Sequence, residues 1–368
     1  MKMKTPFPLA VALLAATSFF APANLAASDH EQNLEKSFAV SPGGKLIIAA
    51  DRGSIGVATD ASDRVRVKVF REVKGGSKAH ADGLFANHEV TFAQDGNTLS
   101  VTARNKKDKT ISWGREPGLQ VRYEVSVPKK FDVDLTTAGG DIRIAELDGG
   151  ATAHTTSGSI QLPSVTGRVE ARDAGGDIAI GQAGADVVAR TTSGSISIKK
   201  AGANVEARNA GGDISLGQVA GATDARTSSG SVVIALAVGK LTVRNAGGGI
   251  KVADARDAVT AETSSGSIEV NFSTSPKSDC RLAVAGGGIK AALPKSAAVD
   301  LDAKTSGGKV RSDLPVTMAV SGGQRSGVLA GKINGGGPAL VLRASSGDIH
   351  LKESPSHPIA AEAEVLSK

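Results

Sequence analysis

Ala174-Gly175-Gly176-Asp177-Ile178-Ala179-Ile180, answered one 18-residue interval later by Thr192-Ser193-Gly194-Ser195-Ile196-Ser197-Ile198, is the stretch that decides how this chain folds. Both segments carry a small polar turn built on glycine, and then an isoleucine two positions from another isoleucine. The same unit runs in both directions. Its central glycines are Gly140, Gly158, Gly176, Gly194, Gly212, Gly230, Gly248 and Gly266, evenly spaced at that same interval. After each turn an apolar pair follows at spacing two, such as Ile160 and Leu162 or Ile214 and Leu216. Period-two alternation places both members on one face of a strand. The other half of the unit repeats the spacing with smaller residues, as in Val187 and Ala189 or Val205 and Ala207.

A fixed short period built of strand, turn, strand, turn is the mark of a solenoid, in which each coil buries its inner face only against its neighbours. The sequence therefore predicts an all-β protein, a parallel β-solenoid (β-helix) of about 18-residue repeats. The turns alternate between a Gly-Gly-Asp type (Asp141, Asp177, Asp213) and a Ser-Gly-Ser type, which gives a longer period of 36. Two coils fit this pattern. One is an 18-residue coil with alternating turns; the other is a 36-residue coil of four strands. The shorter is preferred, because two short strands and two turns close a coil of that size. The glycines are expected to supply positive φ in the tight turns. They also explain the composition, with 45 glycines and only 3% aromatic residues in 368.

Outside the strict repeat the pattern loosens. Residues 36–135 read as an irregular β-rich N-terminal part, with loops expected over Val73–Phe85 and Arg104–Pro117. Residues 136–352 form the repeat solenoid, with atypical coils after residue 270, and 353–368 read as a tail. At the front, Lys2 and Lys4 precede an apolar run from Phe7 to Phe20 and then small residues. Segment 1–27 thus has the form of a cleaved signal peptide, cut after Ala23 or Ala27, and the chain is expected to be exported to the periplasm, the cell surface or the extracellular space. No second apolar run is long enough to span a membrane. The net charge of +6 falls to +4 once Lys2 and Lys4 leave, a mild basicity that permits anionic partners without requiring them. Cys280 is the single cysteine, so no internal disulfide forms, and a small packed residue is its simplest role.

Arg172, Arg190, Arg208, Arg226 and Arg244 recur at the same interval as the turns, with His154 before them and Glu262 after. In an 18-residue coil they would stand about 4.8 Å apart on one outer face. Such a column is the candidate ligand-binding site, since guanidinium groups grip carboxylate and phosphate in two-pronged fashion. Its plainer reading is a solvated column offset by acids such as Glu170 and Glu206. The turn aspartates resemble a stacked calcium site only in part: the series breaks at Gly249, and hard cations want six or more oxygens. The histidines show no metal-ligand spacing, and no cofactor is implied. The Ser-Gly-Ser turns lack the strand-to-helix setting of a nucleophile elbow, so no catalytic residue is assigned. Scarce aromatic residues argue against nucleic acid.

Three further stretches carry a family resemblance: Phe38-Ala39-Val40-Ser41-Pro42-Gly43-Gly44-Lys45-Leu46, Tyr123-Glu124-Val125-Ser126-Val127-Pro128 leading into the repeats, and Gly335-Gly336-Gly337-Pro338 before Ser345-Ser346-Gly347-Asp348-Ile349. With the leader, they resemble the bacterial DUF4097 family of adhesin-like proteins over roughly residues 36–352. The resemblance implies a β-helical surface or periplasmic module, and brings no catalytic residues. Three functions stay open: a non-enzymatic adhesive or structural module; an envelope factor holding an anionic glycan or protein partner on the arginine column; and a glycan-active β-helix enzyme.

Overall fold

The computed structural model describes residues 29–106, 118–318 and 326–354. The signal segment 1–27 and the tail beyond Ser354 lie outside the described residues, as does most of the Arg104–Pro117 loop. The described residues form two facing sheets of 15 strands each. Each coil contributes one strand to each sheet. Ile160 pairs with Ile178, Ile178 with Ile196, and Ile196 with Ile214, all in parallel register, so the 18-residue coil is the one the chain adopts. The 36-residue coil is thereby excluded. We call the sheet that carries these isoleucines sheet A. Sheet B stacks Val169, Val187 and Val205 in the same way.

The core is a set of columns between the sheets. Ile142, Ile160, Ile178, Ile196, Ile214 and Val232 are completely buried, and face small residues such as Ala153, Ala171 and Ala189 that are equally buried. Bulky residues against small ones let two sheets pack close with native density.

The alternation of turn types, which made the longer period, is a stitching device between coils. The Asp of a Gly-Gly-Asp turn accepts a bond from the Ser backbone N–H of the next turn: Ser159 N to Asp141 Oδ1 at 2.9 Å, Ser195 N to Asp177 at 2.7 Å, Ser231 N to Asp213 at 2.7 Å. The donor is backbone, so the bond ties the Asp turn to the next coil whatever residue stands there; Lys309 N donates to Asp348 Oδ1 in the same way at 2.8 Å. The inner corner alternates too. Thr155, Thr191 and Thr227 donate to the carbonyls of Gly140, Gly176 and Gly212, and Asn209 and Asn245 donate to those of Gly194 and Gly230. Before the Gly-Gly turns from Gly175 onward the corner residue is Asp173, Asn209 or Asn245, whose side-chain oxygen accepts the turn's own N–H; before the first such turn it is Thr137, which donates to the Gly53 carbonyl. These bonds satisfy backbone groups that the turns would otherwise bury unpaired.

The glycines serve a different need from the one expected. Of the eight turn glycines only Gly140, Gly158 and Gly266 have left-handed φ. What excludes a side chain throughout is the coil below: a Cβ at Gly176 would lie 1.8 Å from the Gly158 oxygen, and one at Gly194 2.0 Å from the Gly176 oxygen.

Both ends depart from stacking in sequence order. The first coil, Gly44–Ala50 and Ser54–Asp60, lies between the coil of Thr98–Asn105 with Leu119–Pro128 and the coil of Phe131–Thr137 with Ile142–Ile144. At the other end the last coil, Ala339–Ser346 and Ile349–Glu353, lies between Cys280–Gly286 with Ile289–Leu293 and Val299–Gly307 with Val310–Ser312. Antiparallel strands close both ends: His30–Ala39 on Arg64–Val73, His88–Asp95 on Thr98–Asn105, and Val328–Ile333 on Val299–Gly307. Such edges blunt the open backbone of a solenoid end.

One expected loop is in part a helix. Lys78–Asn87 is α-helical, with Ser77 capping its start, and its Ala81 and Phe85 join the core at the N-terminal end. Gly75 and Gly76 before it and Gly83 within it masked the helix in the sequence.

Candidate functional site

In the 18-residue coil the five arginines stand on consecutive rungs of sheet B. Arg172 pairs in register with Arg190, Arg190 with Arg208, Arg208 with Arg226, and Arg226 with Arg244. Each directly follows an inward alanine or valine, so strand alternation turns it outward. The side chains are about half exposed, 39–49%.

The column is not bare. A second column two positions earlier supplies carboxylates to four of the five. Arg172 meets Glu170 at 2.6 Å, Arg190 and Arg208 share Glu206 at 2.7 and 2.8 Å, and Arg226 meets Asp224 at 2.9 Å. At the column's end Arg244 faces Glu262 of the next rung at 3.7 Å. Five guanidinium groups thus share four carboxylates. Exposed pairs of this kind contribute only about 0–1 kcal/mol each, so a ligand that replaces them gives up little. The arrangement suits reversible capture of a multiply charged partner along the solenoid axis.

The column also runs further than the sequence indicates. Arg244 is in register with Glu262, Glu262 with Ala283, Ala283 with Arg343, and Arg343 with Lys304. Arg343 and Lys304 belong to the reordered last coils, so no 18-residue step leads to them.

Asp141, Asp177 and Asp213 are engaged in the turn stitching described above. Among the described residues no group of three or more His, Cys, Asp or Glu side chains is placed to hold a metal ion. Cys280 is buried, and burial raises its thiol pKa.

A second polar cluster lies inside the N-terminal end, where the repeat offers no guide. Arg71, His88 and Tyr123 are nearly inaccessible, at 5%, 1% and 0% exposure. Arg71 Nη1 donates to the carbonyls of Phe85 (3.1 Å) and His88 (2.9 Å), and Nη2 donates to Gln32 Oε1 (2.5 Å). The guanidinium so binds the end of the helix to two strands. His88 Nε2 faces Asp51 Oδ1 at 3.5 Å. Burial, and then the charge of Asp51, pushes the Tyr123 phenol well above its ordinary value.

Burial also lowers the His88 pKa, opposed by Asp51 and reinforced by Arg71 and Arg52. His88 is therefore neutral in the folded protein at pH 7. As pH falls below about 6.5 the unfolded chain takes up a proton that the fold resists, so stability drops between that pH and the lower folded value. The melting temperature is expected to fall on going from pH 7.5 to 5, and less so in His88→Gln. Identical pH profiles for the two proteins would remove His88 as the cause.

The family model described as Toastrack DUF4097 matches residues 61–352, well over half of the chain. The chain belongs to this family. Similar solved structures include a "putative cell adhesion protein" from Clostridium sporogenes, with 11% identity, 88% of this chain and 100% of that one covered, and TM-score 0.21. A "putative adhesin" from Parabacteroides merdae has 12% identity, covers 71% of this chain and 97% of that one, and has TM-score 0.32. A "putative lipid binding protein" from Parabacteroides distasonis has 13% identity, with 87% and 96% covered and TM-score 0.24. No curated protein matches the chain. The Toastrack repeat accounts for the scaffold on which the charged rungs stand.

Proposed function

We propose that this Toastrack protein is an exported, non-catalytic binding module of the cell envelope that holds an anionic glycan along the guanidinium column of sheet B. The observation that carries the reading is the register of Arg172, Arg190, Arg208, Arg226 and Arg244 on five successive rungs, each half exposed and each in a weak, replaceable ion pair. Export is supported by the leader-like form of segment 1–27. No helix among the described residues is long and apolar enough to cross a membrane.

The test is a panel of anionic and neutral polysaccharides, with the salt concentration raised stepwise. Binding to the anionic members should weaken steeply with salt. The triple variant Arg190→Ala, Arg208→Ala, Arg226→Ala should lose at least about tenfold in affinity, from ~0.5–1 kcal/mol per contact. Undiminished binding by the triple variant would set the column aside.

A further inference from the structure

The charged column of sheet B is interrupted at one rung. Between Glu262 and Arg343, where the neighbouring rungs carry long charged side chains, stands Ala283. Ala283 lines an open depression, or notch, of about 630 Å³ in the outer face, together with Glu262, Arg343 and Lys304. Two rungs separate Glu262 from Arg343, an opening of about 10 Å. That is the width of a single sugar ring with its substituents, and no other feature of the repeat requires an alanine here.

The notch walls differ in what they offer. Arg343 is fixed by Asp302: Nη2 bonds the carboxylate and Nη1 donates to the Asp302 carbonyl at 2.7 Å. Arg244 and Arg281 both lean on Glu262, at 3.7 and 3.6 Å. Lys304 is exposed and has no ion-pair partner among the described residues. The hydroxyls of Ser264 and Ser345 line the turn side. One cation without an ion-pair partner, one carboxylate shared by two arginines, and the serines Ser264, Ser306 and Ser345 thus line an opening one sugar ring wide between the Glu262 and Arg343 rungs. A carboxylate suits Lys304, and ring hydroxyls can donate to Glu262 and exchange bonds with the serines.

We propose that the notch at Ala283 is a subsite for one uronic-acid-type sugar unit, a ring bearing a single carboxylate and free hydroxyls. This rests on the reading of the protein as a binder of anionic glycan, and adds to it a single point of recognition within the column. The long arginine run supplies diffuse attraction; the notch distinguishes one sugar from another.

The experiment is titration calorimetry of the full chain with a galacturonate tetramer, a galactose tetramer and inorganic phosphate. The galacturonate tetramer is expected to bind at least about tenfold more tightly than either of the others. Ala283→Arg, which fills the notch with the residue that the next rung carries at Arg343, and Lys304→Ala should each weaken the galacturonate tetramer about tenfold or more. Both positions face outward, and thermal melting checks that the variants fold. The triple arginine variant should keep tetramer binding within about threefold while losing long polymers. Ala283→Arg binding the tetramer as the parent does would overturn the notch, as would equal affinity for galactose tetramer or phosphate. If the triple variant loses polymer binding while Ala283→Arg keeps tetramer binding, the column stands and the notch falls. The opposite pattern retains the notch and removes the column.

Discussion

Gly176→Ala is expected to destabilise the protein by at least about 3 kcal/mol, a large effect for one methyl group. The added Cβ would sit 1.8 Å from the Gly158 oxygen, 2.6 Å from its carbonyl carbon and 2.8 Å from Asp173 Oδ2. Two of these atoms are backbone and cannot rotate away. Nor can the coils separate, because Ile160 N to Asp177 O (2.8 Å) and Ile178 N to Ser195 O (2.9 Å) hold them on either side. The damage should spread to the adjoining rungs, since each coil of a solenoid is stable only against its neighbours. Gly139→Ala is the matched control. It lies in the same kind of turn, nothing stands within 4 Å of its Cβ position, and its φ is not left-handed. Its cost should stay within ~0.5 kcal/mol. Urea unfolding of the two variants beside the parent measures the difference; equal midpoints would show that inter-coil spacing is not what the glycine protects.

That contrast marks how far the sequence could be read. The isoleucine columns and the arginine column were visible because stacking of equal coils converts a constant interval along the chain into contact. Wherever the chain stacks in order, spacing is geometry. The rule fails where the last coil slips between two others. Arg343 pairs in register with Ala283 and with Lys304, at two unequal separations that no period announces. Turn chemistry was half legible: the glycines were found, but their reason was proximity to the next coil, which only the stacked arrangement reveals. The N-terminal cluster did leave a trace. In Arg64–Val73 the inward positions are Val65, Val67, Val69, residue 71 and Val73, so an arginine stands on the core face of its strand. Tyr123, the sole tyrosine, likewise occupies an inward position of Leu119–Pro128. A charged or phenolic residue on the apolar parity of a strand is a departure from pattern, and departures carry the information that a repeat cannot.

Arg71→Met should therefore act as a second severe lesion, and a local one. Methionine keeps the length of the apolar stem while removing every donor. Two acceptors are left behind in a buried setting, the carbonyls of Phe85 and His88, 14 and 17 positions away in the chain, while the exposed Gln32, 39 positions away, can turn to water. Each buried group left unpaired costs about 1–3 kcal/mol, which puts the loss for the N-terminal end at ~2 kcal/mol or more. The two carbonyl bonds are shielded from solvent, so added salt should change the result little. Because interactions in a solenoid pass mainly between neighbouring rungs, the loss should be confined. Hydrogen exchange is expected to accelerate in His30–Ala39, in the helix Lys78–Asn87 and in His88–Asp95, while the rungs from Ile178 to Ile250 keep their protection. Arg71→Lys should recover part of the effect, since an ammonium retains donors but cannot reach three acceptors in the guanidinium's fixed fork. Unchanged exchange at the three N-terminal segments would mean that Phe85 and its apolar neighbours hold this end without the arginine. Loss spread evenly over all rungs would mean that the end and the repeat unfold as a single unit.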